Sequence, residues 1–101
     1  MSSTGYEGVI RLAQEGQWSK GMLDWLKVVR GCYKEAESHG GNRFAGSWVY
    51  KRQETGYFPS LRLLVVRYGI LRKVDKTSKL TFYVMPDREG VARALHELGY
   101  L

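Results

Sequence analysis

One cysteine, Cys32, leaves no intrachain disulfide to form, and no Cys/His group has the spacing of a structural zinc site. Proline is nearly as scarce: Pro59 and Pro86 both fall where other signals already suggest a boundary. No apolar run approaches the length of a membrane span. The start, Met1-Ser2-Ser3-Thr4-Gly5, lacks the basic stretch and apolar core of a secretory leader. Repeats and low-complexity tracts are absent, and no glycine group runs into Lys-Ser or Lys-Thr as a phosphate-binding loop does. These absences predict a cytoplasmic protein with no disulfide, structural metal, cofactor, membrane contact or evident small-molecule ligand.

What is present suffices for one core. At 101 residues and 44% apolar content, with three Trp, seven Tyr and three Phe, the chain is expected to fold as a single domain over 1–101. Its net charge of +6 is unevenly spread. Residues 1–41 carry five basic and five acidic side chains. Residues 42–85 carry nine basic (Arg43, Lys51, Arg52, Arg62, Arg67, Arg72, Lys73, Lys76, Lys79) against two acidic (Glu54, Asp75), and residues 86–101 carry two against three. The whole excess lies in the middle block, which points to a polyanionic partner more strongly than a diffuse excess does.

Helical spacing runs through Tyr6, Val9, Ile10 and Ala13, predicting a short helix over Tyr6–Gln14. Ser19 can cap a longer one from Lys20 to Ser38, with Met22, Leu23, Leu26, Val29, Cys32, Tyr33 and Ala36 as its apolar stripe and Gly40-Gly41 as its stop. Phe44, Ala45, Trp48 and Val49 suit one face of a helix over Phe44–Gln53, followed by a turn at Thr55-Gly56-Tyr57. Pro59 fits the first position of a helix reaching Tyr68, with Leu61, Leu64, Val65 and Tyr68 inward and Ser60, Arg62, Leu63, Val66 and Arg67 outward. Ile70–Asp75 and Lys79–Met85 read as two strands around the polar turn Lys76-Thr77-Ser78. Asp87 caps a last helix, Arg88–Leu98, that buries Val91, Ala94, Leu95 and Leu98.

The fold class expected is α+β and mainly helical: N-terminal helices over 1–41, a helix-turn-helix over 42–69, a hairpin over 70–86 and a C-terminal helix over 87–101. The pair Phe44–Gln53 and Pro59–Tyr68, with Tyr68-Gly69-Ile70-Leu71-Arg72-Lys73-Val74 running into Lys79-Leu80-Thr81-Phe82-Tyr83-Val84, resembles the winged-helix family of small DNA-binding transcription regulators. That resemblance covers the C-terminal six-tenths of the chain. It implies that the second helix of the pair enters the major groove of double-stranded DNA and that the hairpin, the wing, follows the backbone. Ser60, Arg62 and Arg67 become groove-facing candidates, Arg72, Lys73, Lys76 and Lys79 phosphate contacts, and Lys51 and Arg52 flank the turn. Independently of the family, cations spaced along a twisted hairpin can follow a line of phosphates and displace counterions. Thr77 and Ser78 offer hydroxyls to phosphate, and Tyr57 and Tyr83 are the aromatics placed to stack on bases. A homodimer on paired half-sites is a further expectation.

Leu63 and Val66 fit this picture least, since a base-reading helix usually presents polar side chains. Burial against protein is the expectation for the pair. The alternatives are a protein-interaction module of the same fold and a chromatin-type binder without sequence preference. No enzyme is expected. Cys32 and His39 lie about 10 Å apart along a helix at 1.5 Å per residue, too far for a nucleophile and its base. His96 and Glu97 diverge as helix neighbours, and Asp87 and Glu89 sit where capping explains them.

Overall fold

The computed structural model describes residues 4–15, 25–52 and 61–101. Their elements are α1 (Thr4–Glu15), α2 (Trp25–Ser38), β1 (Phe44–Ala45), α3 (Gly46–Arg52), α4 (Arg62–Val66), β2 (Arg72–Lys76), β3 (Thr81–Val84) and α5 (Arg88–Glu97). The three strands form one antiparallel sheet in the order β1-β3-β2. The architecture is α+β and mostly helical, and no helix among the described residues is long and apolar enough to cross a membrane.

The core is one cluster that takes Val9 and Leu12 from α1, Val28, Val29 and Cys32 from α2, Leu64 from α4 and Val91, Ala94 and Leu95 from α5, all buried. Phe44 reaches it from the sheet and is fully enclosed. Two glycines let α1 settle against the rest of the molecule. A methyl group on Gly8 would stand 2.3 Å from the Tyr68 carbonyl oxygen, and one on Gly5 would stand 2.8 Å from the Asp87 carbonyl oxygen. Only the bare backbone of α1 fits against those two carbonyls.

One carboxylate then serves two helix starts. Asp87 Oδ1 accepts from the Gly90 amide in the first turn of α5, and its Oδ2 accepts from the Gly5 amide of α1, both at 3.1 Å. Asp87→Ala strands both amides and is expected to cost about 1–3 kcal/mol, read as a lowered midpoint in thermal unfolding.

Several sequence expectations need correction. Phe44 and Ala45 do not begin a helix: they form β1 and pair with Tyr83 and Phe82. A two-residue strand is too short to show an alternating pattern, and its pairing partner lies almost forty positions away. Along α2 the buried stripe is Trp25, Val28, Val29, Cys32 and Ala36, with Glu35 buried beside it, so the buried face is rotated from the one expected. Leu98 lies past the end of α5 and is 36% exposed. Ile70 and Leu71 are buried but precede the strand, their amides donating to the Leu64 carbonyl as the chain leaves α4. Gly69, at φ +63°, takes the left-handed conformation that this exit requires. Ser19, Met22, Leu23, Thr55, Gly56, Tyr57, Pro59 and Ser60 lie outside the described residues.

Candidate nucleic-acid interface

The hairpin carries the cations, and its register decides where each of them points. Paired residues in an antiparallel ladder share a face, and successive residues alternate. Lys73 pairs with Tyr83 and Lys76 with Thr81, which places these four on one face. Arg72 pairs with Val84 and Asp75 with Phe82, which places those four on the other. A straight strand would put Lys73 beside Asp75 and opposite Lys76. The register shift between Lys73 and Asp75 reverses this, because the additional residue Val74 changes the parity of the strand. The bulge therefore sorts charge: two lysines share one face, and the only acid of the strand goes to the other.

Asp75 is also neutralised where it lies. The Arg43 guanidinium hydrogen-bonds its carboxylate and stands 4.4 Å from the centre of the Phe82 ring, on that same face. Trp48 meets Phe82 edge-on at 6.0 Å, and His39 lies tilted against Trp48 at 4.9 Å, so aromatic rings pack around Phe82 on this face. Sequence reasoning counted Arg43 only as charge. Its partner is 32 positions away, and no local spacing signals the pair.

On the lysine side, a cleft of about 280 Å³ opens between the hairpin and the start of α3. Gly46, Ser47, Leu61, Lys79, Leu80, Thr81 and Tyr83 line it among the described residues. Tyr83 is half-buried there, and burial raises its phenol pKa above the ordinary value. Arg72, Lys73, Lys76 and Lys79 are all exposed, and none of their side chains forms an ion pair among the described residues.

At the hairpin tip the Thr77 side chain is engaged by its own turn. The Thr77 hydroxyl oxygen accepts from the Lys79 and Leu80 amides at 3.3 and 3.0 Å and lies 3.4 Å from the Leu80 carbonyl. Thr77 thus builds the turn, and its hydroxyl is occupied. Ser78 is exposed beside it.

The helix pair is shorter than expected. Lys51 and Arg52 are the last two residues of α3, and α4 has a single turn and a half of helix from Arg62 to Val66. Arg62 and Val66 are four residues apart on one exposed face of α4, whereas Leu63 is half-buried and packs against the core. The apolar pair expected on the surface is therefore split, and Val66 alone stands out, 70% exposed.

Arg67 is engaged inside the molecule. Its Nη2 lies 3.0 Å from Glu15 Oε1 at the end of α1, and the Tyr68 hydroxyl donates to the same oxygen at 2.5 Å. Arg11 of α1 donates to the Arg67 carbonyl at 2.6 Å. The hydrogen bond from Tyr68, with the nearby Arg67 charge, holds the Glu15 carboxyl below its ordinary pKa, against a smaller opposing effect of burial. Tyr68 shifts the other way, first through burial and then through the bond to Glu15.

Cys32 is fully enclosed in the core, and burial pushes its thiol far above the ordinary range, while His39 and His96 are exposed. Among the described residues no group of three or more His, Cys, Asp or Glu side chains is placed to hold a metal ion. No family model, curated protein or solved structure matches the chain.

Proposed function

We propose that this protein is a winged-helix regulator that binds double-stranded DNA, laying α4 toward the major groove and the lysine face of the β2–β3 hairpin along phosphates. The reading rests chiefly on the charge-sorting bulge. Lys73 and Lys76 share one face with Tyr83 and Thr81, Lys79 stands at the tip, and the hairpin's acid is turned away and paired with Arg43. A bulge that only blunted a sheet edge would need no such separation of sign. Exposed ammonium groups along a hairpin, with no ion pair among the described residues, are suited to displacing counterions from a polyanion.

Base reading falls to Arg62, which with Val66 forms the exposed face of α4. Arg62→Ala is expected to cost about 1–3 kcal/mol at one preferred base pair if the guanidinium contacts guanine. Competition between a selected site and random duplex measures it. An equal loss on both makes Arg62 a phosphate contact and favours a binder without sequence preference. Exposed Val66 supports the second reading, a protein-interaction module, in which duplex and single strand both fail to bind at low salt.

A further inference from the structure

The contact between Glu15 and Arg67 is built differently from the other bonds that join α1 to the end of α4. The Tyr68 hydroxyl and Arg67 Nη2 converge on a single oxygen of Glu15, while Arg11 holds the main-chain carbonyl of Arg67. Two of these three bonds survive if the Arg67 side chain swings away. The Tyr68 hydroxyl keeps Glu15 in place, and Arg11 keeps the backbone. Only the guanidinium is exchangeable, and its hold is modest: it gives one nitrogen to one oxygen and stands 5.7 Å from the centre of the Tyr68 ring, and the ion-paired side chains are 53% and 33% exposed. A surface pair of that kind has small net worth, whereas a guanidinium can meet a phosphate with two parallel bonds and release a counterion.

We propose that the Glu15 carboxylate is an internal stand-in for a nucleic-acid phosphate, occupying Arg67 in the free protein and yielding it to the backbone when duplex binds. The inference rests on the duplex-binding reading of the hairpin. Under it, α1 regulates the interface, since whatever moves or neutralises Glu15 changes the number of cations offered to DNA. Arg67 binds phosphate and not a base, because its first partner is a carboxylate at the end of the helix, beyond the Arg62–Val66 face.

The test is a set of duplex titrations by fluorescence anisotropy on wild type, Glu15→Gln, Arg67→Ala, the double variant and Glu7→Gln. Gln keeps an oxygen for Tyr68, and unchanged thermal unfolding confirms that the fold is intact. Glu15→Gln is expected to tighten binding about 2- to 5-fold, the size of a surface ion pair expressed as an equilibrium constant. That gain should vanish in the Arg67→Ala background, and Arg67→Ala alone should lower the slope of log K against log salt by about 0.9. Glu7, two turns earlier on α1, is the charge control, and Glu7→Gln should give a smaller gain. A gain that persists without Arg67, an equal gain from Glu7→Gln, no gain at all, or an unchanged slope overturns the proposal. Where wild type still binds duplex and the hairpin lysines still matter, that failure belongs to Glu15 alone. Absence of any salt-sensitive binding by wild type removes the duplex reading and this inference with it.

Discussion

Replacing Lys73, Lys76 and Lys79 together with alanine is expected to weaken duplex binding on every sequence, on the order of 10- to 100-fold at moderate salt, and to flatten its salt dependence. At about 0.9 counterion per phosphate contact, the slope of log K against log salt should fall by about 2.7. The three side chains are exposed and carry no fold-holding ion pair among the described residues, so unfolding should shift within about 0.5 kcal/mol. Arg72, on the opposite face with Val84, is the internal comparison, and Arg72→Ala should cost less than any one of the three lysines. Equal losses from all four positions would mean that the bulge does not select a binding face.

The largest expected effect on stability is at Phe44. Its side chain is fully enclosed, and its backbone forms half of β1, the strand that ties the hairpin to the body through Tyr83. Phe44→Ala removes a buried aromatic ring and leaves a cavity that the surrounding helices cannot close, at a cost of about 3–5 kcal/mol. Domains of this size hold only about 5–15 kcal/mol in total, and each kcal/mol moves the midpoint by about 4–8 °C. A drop of well over 10 °C in calorimetry is therefore expected. The ring also lies 6.3 Å from Tyr83, whose partner across the hairpin is Lys73, so the variant should lose duplex affinity even where it remains folded. A midpoint within a few degrees of wild type would mean that β1 does not anchor the hairpin.

What the sequence made legible follows from periodicity and punctuation. The helical repeats of α1 and α5, the stops at Gly41 and Gly69 and the Asp87 cap of α5 each depend on residues within a turn or two of one another. The hairpin was visible for the same reason, in two β-prone runs around a polar turn. Features that depend on distant pairing were not. The strand character of Phe44 and Ala45 exists only because Tyr83 and Phe82 lie beside them. The bulge at Val74 leaves no mark in composition, although it decides which lysines share a face. Glu15 and Arg67 are 52 positions apart, and a helix-wheel argument that turned Arg67 outward had no access to the carboxylate that α1 brings to it. Thr77 looked like a hydroxyl available to ligand because sequence shows donors and acceptors without showing which are already used. For the candidate site, the sequence shows only that the cations cluster in the middle block of the chain. The fold then divided them by face and partner.

The most direct test of the account is fluorescence anisotropy of wild-type protein with a labelled random duplex across a salt series, set against a matched single strand. The account predicts duplex binding that weakens steadily with salt, with a slope corresponding to at least three phosphate contacts, and weaker binding to the single strand. Absence of duplex binding at low salt, or binding indifferent to salt, would contradict it.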